Sequence, residues 1–120
     1  MLSILTATPT RQERLAWAAG IFEGEGCVTE VNGRFALLVS NTDQWVVRRF
    51  DSIIECGQVY GPYRNSEADG HRRKPFWTWS AFEEDAFDAF QSMSPWLSNR
   101  RLDRAFELTG IRFPGKRLPI

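Results

Sequence analysis

Residues 18–26 read Ala-Ala-Gly-Ile-Phe-Glu-Gly-Glu-Gly, and this stretch joins a predicted helix to a predicted β-hairpin. Thr10 is followed three residues later by a glutamate, the spacing of a capping box, which predicts a helix over residues 11–22. Gly24 and Gly26 are expected to end it, because glycine weakens helices. The 3.6-residue spacing places four small or acidic residues on one helix face: Ala16, Ala19, Gly20 and Glu23. Small residues so spaced allow close approach of another backbone, either from the same chain or from a second copy.

Two β-hairpins are predicted after this helix. Asn32-Gly33 lies between two β-prone runs, residues 27–31 and 34–41, and Asn-Gly in this setting is the strongest short hairpin signal. A second pair of strands is predicted over residues 58–65 and 75–81, joined by a polar loop. Strand pairs with short connections imply an antiparallel sheet, with helices on one face and the other face open.

Three further helices complete the predicted element order, α-ββ-α-ββ-α-α. We expect Thr42 to cap a helix over residues 43–56 that Gly57 ends, and a third helix over residues 83–93. Ser94-Pro95 is expected to begin a fourth helix that runs to about residue 108, before Gly110. This order predicts a single α+β domain over residues 1–120, with its core at 11–108 and an irregular tail at 111–120. Of the five tryptophans, two are expected in the core and two in other structural positions: Trp77 and Trp79, then Trp45 and Trp96.

Composition excludes several classes of protein. The 120 residues hold 15 basic and 15 acidic side chains, so the chain is not a histone-like basic binder. No apolar run approaches the ~20 residues of a membrane span, and the first ten residues make a poor signal peptide. Two cysteines and one histidine fall short of the four ligands that a structural zinc site takes, and a reducing, cytoplasmic compartment is expected.

The zero net charge is a sum of alternating blocks along the chain. Residues 81–90 hold four acids and no base, whereas residues 91–120 hold six bases and two acids. Single blocks of this kind are usually solvated faces. Together they are consistent with one basic side and one acidic side.

Four motifs resemble the LAGLIDADG homing endonucleases. The string at residues 18–26 is similar to the family signature in its degenerate form, G-[ILF]-[FIV]-[DE]-G-E-G, and it ends a helix and opens a hairpin as the family's does. Asn-Thr-Asp at 41–43 closes a strand, and Gly-Gln-Val-Tyr at 57–60 opens another. Pro-Trp-Leu-Ser-Asn-Arg-Arg at 95–101 resembles the family's P-[FY]-L-x-x-K-[KR]. The motif occurs once, which resembles the family members that act as homodimers through the face of Ala16, Ala19, Gly20 and Glu23.

The resemblance implies roles for a small set of residues. Glu25 would bind Mg²⁺, with Mn²⁺ or Ca²⁺ as other occupants, and the carbonyl of Gly24 would be a further metal ligand. Asn41 would position water, unless it is only a turn residue before a helix. Arg100 takes the place of the family's usual Lys; because Arg keeps its proton, it would stabilise charge rather than act as a base, and Arg101 could substitute for it. A plain basic helix face is the alternative for both arginines.

DNA recognition would fall to the open sheet face, curved along the major groove. The strand residues expected to meet base edges are Thr29, Arg34, Leu38, Ser40, Arg64 and Thr78. Side chains of the second hairpin loop are expected to grip phosphates: His71, Arg72, Arg73 and Lys74.

The sequence therefore predicts a homodimeric, metal-dependent, site-specific endonuclease of double-stranded DNA, of homing or mobile-element type. Two alternatives stay open. One is a DNA- or RNA-binding relative without activity, such as a maturase or regulator. The other is a small α+β dimerisation module whose open sheet binds protein.

Overall fold

Four α-helices and four β-strands follow one another in the computed structural model, which describes residues 8–64 and 74–115. The elements are α1 (Arg11–Glu25), β1 (Gly26–Val31), β2 (Arg34–Asn41), α2 (Gln44–Ile54), β3 (Gln58–Tyr63), β4 (Phe76–Phe82), α3 (Glu84–Met93) and α4 (Asn99–Thr109). The strands form one antiparallel sheet in the order β1-β2-β4-β3. The predicted α+β class and element order are confirmed. No helix among the described residues is long and apolar enough to cross a lipid bilayer.

Helix α1 begins as predicted but ends later. The Thr10 hydroxyl accepts a hydrogen bond from the Glu13 amide at 3.1 Å, and the Thr10 amide donates to the Glu13 carboxylate at 2.9 Å. These hydrogen bonds, the one from the Thr10 backbone first, lower the pKa of Glu13. The helix continues through Gly24 and stops at Gly26, where an added Cβ would lie 2.5 Å from the Phe22 ring and carbonyl. The predicted end at residue 22 was wrong, because one exposed glycine does not interrupt a helix that its neighbours stabilise.

The first hairpin has the predicted turn, and its register settles which way β1 faces. Asn32 and Gly33 have φ of 52° and 78°, the left-handed pair that this tight turn requires. Val28 pairs with the buried Leu37, so the two side chains share the face that the helices cover. Thr29 therefore lies on the opposite, open face.

The core lies between the sheet and the helices, and Trp79 is its largest fully buried side chain. The Trp79 indole donates a hydrogen bond to the Cys56 carbonyl at 2.9 Å and packs edge-on against Phe50, with ring centroids 4.8 Å apart. Trp77 is partly buried against the same cluster, so the core prediction for both is confirmed. Trp45 is 61% exposed and packs edge-on against Trp17, with ring centroids 6.2 Å apart.

Helix α2 has different boundaries from those predicted. Asp43, and not Thr42, is its N-cap: the Asp43 carboxylate accepts a hydrogen bond from the Trp45 amide at 2.9 Å. The helix ends at Ile54, since Glu55 takes the left-handed conformation, with φ 66° and ψ 15°. The predicted stop at Gly57 came too late because a glutamate does not signal a left-handed cap.

Replacing Glu55 by Gly is expected to raise the free energy of unfolding by ~1 kcal/mol. The left-handed conformation costs a residue with a Cβ ~1–2 kcal/mol, and glycine adopts it freely, though with a larger entropy loss on folding. Urea unfolding followed by circular dichroism measures the change. Gln91→Gly, in the last turns of α3, is the control and should lower stability by about the same amount. A loss of stability for Glu55→Gly would contradict the prediction.

The predicted fourth helix is two elements. Ser94–Trp96 forms a 3-10 turn, Leu97 is extended, and Ser98 caps α4 by accepting a hydrogen bond from the Arg101 amide at 3.4 Å. Gly110, with φ 73°, ends α4 as expected. The extended residue separates the two parts, and it brings the start of α4 to the end of α1. The remaining predicted bounds lie within two residues of the observed ones, and those of β2 are the same.

Candidate active site and nucleic-acid interface

Three elements meet at one end of the sheet. Gly26, the first residue of β1, pairs with Val39, so β2 extends two residues further, to Asn41. Helix α1 leads into β1 at this end, so Glu25 and Asn41 lie at the same end of the sheet. The start of α4, with Arg100 and Arg101, also lies against the end of α1. The structure thus brings the four predicted catalytic residues to one region of the molecule.

Glu25 is the last residue of α1, and its side chain is exposed. Asn41 is half-buried, and its Oδ1 accepts a hydrogen bond from the Asp43 amide at 2.8 Å. Asn41 therefore has the turn role that was the alternative for it, and this contact fixes the orientation of its side-chain amide. The contact leaves the Nδ2 group as the donor end of that amide.

Glu23 links the end of α1 to the start of α4. Its carboxylate accepts hydrogen bonds from the Ser98 amide at 2.8 Å and the Ser98 hydroxyl at 2.9 Å. In return, Arg101 donates from Nη2 to the Glu23 carbonyl at 3.0 Å. An acidic side chain thus satisfies donors at a helix N-terminus, and a basic one satisfies a carbonyl at a helix C-terminus. Sequence reasoning missed these contacts, because Ser98 and Arg101 lie 75 and 78 residues after Glu23 in the chain.

The two arginines of α4 have different surroundings. The Arg101 side chain is 12% exposed and packs over the Phe22 ring, with its guanidinium 5.4 Å from the ring centroid. The Arg100 side chain is 73% exposed, and its guanidinium lies 3.7 Å from the Glu23 carboxylate. An ion pair this exposed contributes little to stability. Arg100 is thus the arginine whose guanidinium is presented to solvent, and Arg101 holds two helices together.

One chain offers few ligands for a metal ion at the end of the sheet where Glu25 lies. Glu25 supplies one exposed carboxylate, and the last turn of α1 supplies backbone carbonyls, among them that of Gly24. Oxygen donors of this kind suit Mg²⁺ or Ca²⁺. Across residues 8–64 and 74–115, no three His, Cys, Asp or Glu side chains are grouped as a metal site would need. The donor set fits a hard cation only when a second chain or substrate completes it.

The open sheet face gathers most of the strand residues predicted to meet DNA. Strand pairing aligns Thr29 with Ala36 and Ser40 with Thr78. The predicted residues that share this face are Thr29, Arg34, Leu38, Ser40 and Thr78. The Ser40 and Thr78 hydroxyls are hydrogen-bonded to each other at 2.7 Å. The Arg34 guanidinium lies 4.5 Å from the Phe82 ring centroid, a cation–π contact that favours this position on the face.

The remaining predicted DNA contacts belong to the second hairpin. Arg64 and Lys74 are exposed just beyond the ends of β3 and β4. His71, Arg72 and Arg73 lie outside the described residues.

Sequence reasoning overlooked the side chains of β3 on the open face. Gln58 pairs with Ser80, and Tyr60 with Thr78, which puts both on this face. A register shift between Tyr60 and Tyr63 returns Tyr63 to the same face, 5.6 Å from the Phe76 ring. The alternation of polar and aromatic residues in β3 would have indicated Gln58 and Tyr60, whereas the shift has no sequence signal beyond Gly-Pro.

The predicted contact face of α1 needs correction. Ala19 is fully buried within its own chain, and the Glu23 carboxylate contacts Ser98, so neither presents a free side chain to a second copy. Ala16 is partly exposed and Gly20 exposed, as expected. Gly24 extends this line at a spacing of four residues. A Cβ added at Gly20 or Gly24 would have no atom within 4 Å, so nothing in the described chain requires glycine there.

Comparisons with solved structures identify this fold. Two crystal structures of the homing endonuclease I-CvuI superimpose with a TM-score of 0.59 at 18% identity, over 82% of this chain and 65% of theirs. One is in complex with its target in the presence of Ca, the other with the I-CreI target in the presence of Mg, with the DNA not cleaved. The chain thus spans about two thirds of the length of those proteins and shares their fold. No protein-family model and no curated protein matches the sequence.

Proposed function

We propose that this protein is a metal-dependent endonuclease that cuts double-stranded DNA at specific sites as a homodimer. The observation that carries the proposal is the exposed Glu25 carboxylate at the end of α1. It lies at the end of the sheet where Asn41 and Arg100 also lie. The homing endonuclease fold and the polar open face support DNA as the substrate. As the resemblance to LAGLIDADG endonucleases implies, cleavage would occur across the minor groove and would leave staggered ends.

In this proposal each residue has a defined part. Glu25 and the Gly24 carbonyl, with their counterparts from a second chain, would hold Mg²⁺; once bound, the ion would activate water and neutralise the leaving 3′-oxygen. The Arg100 guanidinium would stabilise phosphate charge, because it stays protonated and forms two parallel hydrogen bonds. The Asn41 side-chain amide accepts a hydrogen bond from the Asp43 backbone, and its NH₂ group would position water at the same end of the sheet. Arg101 acts as a positioning residue for α4.

Charge distribution agrees with a sheet that faces DNA. The four acids of residues 81–90 are exposed on or just before α3, which packs on the helix-covered side of the sheet. Arg34 lies on the open face, and Lys74 follows the loop that leads into β4. Phosphates would therefore approach the side of the molecule that carries fewer acids.

The test is cleavage of a DNA library by the purified protein with Mg²⁺ and, in parallel, with EDTA. Recovered ends that share one sequence, present only with Mg²⁺, would support the proposal. Sequence-specific binding that is equal with EDTA, and never followed by cleavage, would favour an inactive nucleic-acid-binding relative instead. Binding that is insensitive to salt would contradict a DNA interface, because phosphate contacts release counterions.

Replacing Gly20 by Leu is expected to weaken homodimerisation at least tenfold while leaving the single chain folded. The exposed line of Ala16, Gly20 and Gly24 allows a second α1 to approach closely, and a Leu side chain would hold the two backbones apart. The single chain should accept the substitution, because Gly20 is exposed and an added Cβ would meet no atom within 4 Å. Sedimentation velocity over a concentration series measures the effect, and Gln12→Leu, exposed in the first turn, is the control. An unchanged dimer for Gly20→Leu would contradict the proposed interface.

A further inference from the structure

The edge strand β3 carries a hydrogen-bonded pair on the open face, Gln58 and Tyr60. Both side chains are exposed, Tyr60 to 47%. The Tyr60 hydroxyl donates a hydrogen bond to Oε1 of Gln58. The two residues are two positions apart on one strand, so β3 alone brings their side chains together.

This hydrogen bond decides which end of the Gln58 amide is presented. A glutamine has one acceptor oxygen and an NH₂ group with two donors. Because Tyr60 engages the oxygen, Oε1 turns toward the hydroxyl and Nε2 turns away from it. Within residues 8–64 and 74–115, Nε2 of Gln58 makes no hydrogen bond, and the exposed side chain presents this donor group to solvent.

The neighbouring polar groups on this part of the face differ from Gln58. Ser40 and Thr78 are hydrogen-bonded to each other at 2.7 Å, and Ser80, which pairs with Gln58, is buried to all but 7%. The Gln58 amide is therefore an exposed donor held in one orientation beside groups that already have partners or are covered. A donor held in place loses less entropy on binding an acceptor than a mobile one does, and its fixed orientation determines which base edge it can match.

We infer that Gln58, oriented by Tyr60, is a specificity determinant that selects guanine in the DNA target. The inference rests on the DNA binding of the proposed function. In the major groove guanine presents two acceptors, N7 and O6, whereas adenine presents the N7 acceptor beside the N6 donor. An unrestrained glutamine reads adenine by accepting from N6 and donating to N7. With its oxygen turned to Tyr60, Gln58 instead donates to the two guanine acceptors.

The test is selection of bound sequences from a random DNA library, performed in EDTA so that cleavage plays no part. The proteins compared are the wild type, Tyr60→Phe, Gln58→Ala and the control Tyr63→Phe. Tyr63 lies on the same strand and face with a similar exposure, 45%. The wild type is expected to select guanine at one position of each half-site. Tyr60→Phe should shift that position toward adenine by about tenfold, the scale of one bidentate base contact. Gln58→Ala should remove the preference there, and Tyr63→Phe should leave it unchanged.

The possible outcomes separate this inference from the proposed nuclease activity. Specific binding with the expected base changes, but without cleavage in Mg²⁺, would support the inference and refute the nuclease. Cleavage together with an unchanged base preference for Tyr60→Phe and Gln58→Ala would refute the inference alone. The same shift in Tyr63→Phe would also refute it, and so would a failure of the wild type to select any sequence. Equal thermal midpoints of the four proteins would establish that each is folded.

Discussion

Replacing Glu25 by Gln is expected to lower DNA cleavage at least ~100-fold, with little change in DNA binding or stability. The substitution keeps the size of the side chain and removes its charge, so the proposed metal site would lose a carboxylate ligand. Groups that only support a ligand already contribute ~10–100-fold, and the ligand itself should contribute more. Stability should change by less than about 0.5 kcal/mol, because the side chain is exposed.

Single-turnover cleavage of the selected site and a parallel binding titration measure the two effects separately. Glu30→Gln is the matched control, because Glu30 is also an exposed glutamate, near the far end of β1. Glu25→Asp should retain part of the activity, since it keeps a carboxylate that is one methylene shorter. Undiminished cleavage by Glu25→Gln would refute the assignment of the metal site. An equal loss in Glu30→Gln would show that charge alone, rather than position, matters.

Local sequence signals predicted the elements whose ends are set locally. The capping box at Thr10 fixed the start of α1, and Asn32-Gly33 fixed the first turn, because each requires only neighbouring residues. Ends that depend on tertiary packing were misplaced. Gly24 stays helical, and Glu55 adopts a left-handed conformation that its residue type does not signal. The Gly61-Pro62 shift in β3 likewise changes which side chains face outward without altering the hydrophobic pattern.

The site followed the same division. Glu25 and Asn41 were predicted from motifs, and the strand register places both at one end of the sheet. Glu23 was expected on the α1 contact face, because helical periodicity records only the direction of a side chain. Its partner Ser98 is 75 residues away, and no local pattern connects the two. Arg101 was expected at the catalytic site because it follows Arg100 in the motif at 95–101, although burial against Phe22 gives it a structural role as well.

Replacing Glu23 by Ala is expected to lower the free energy of unfolding by ~2–4 kcal/mol. The carboxylate accepts two hydrogen bonds from Ser98, and hydrogen bonds to charged groups contribute ~1.5–3 kcal/mol each. Because the Glu23 side chain is 32% exposed, solvent screens these bonds and the lower end of that range applies. Truncation would also remove the carboxylate 3.8 Å from Nε of the mostly buried Arg101, and this Nε has no hydrogen bond among the described residues. A buried cation left without its counter-charge adds to the loss.

Urea unfolding, with the midpoint and slope fitted together, measures this change. Glu107→Ala is the matched control: Glu107 also pairs with an arginine, Arg104, at 3.2 Å, but both side chains are well exposed. That pair should contribute ~0.5 kcal/mol or less. Equal losses in the two variants would show that Glu23 is an ordinary surface acid. A double-mutant cycle with Ser98→Ala should give a coupling of about 1 kcal/mol or more, because the two residues share their hydrogen bonds. Since Glu23 holds the start of α4 against α1, Glu23→Ala should lower both stability and cleavage, whereas Glu25→Gln should lower cleavage alone.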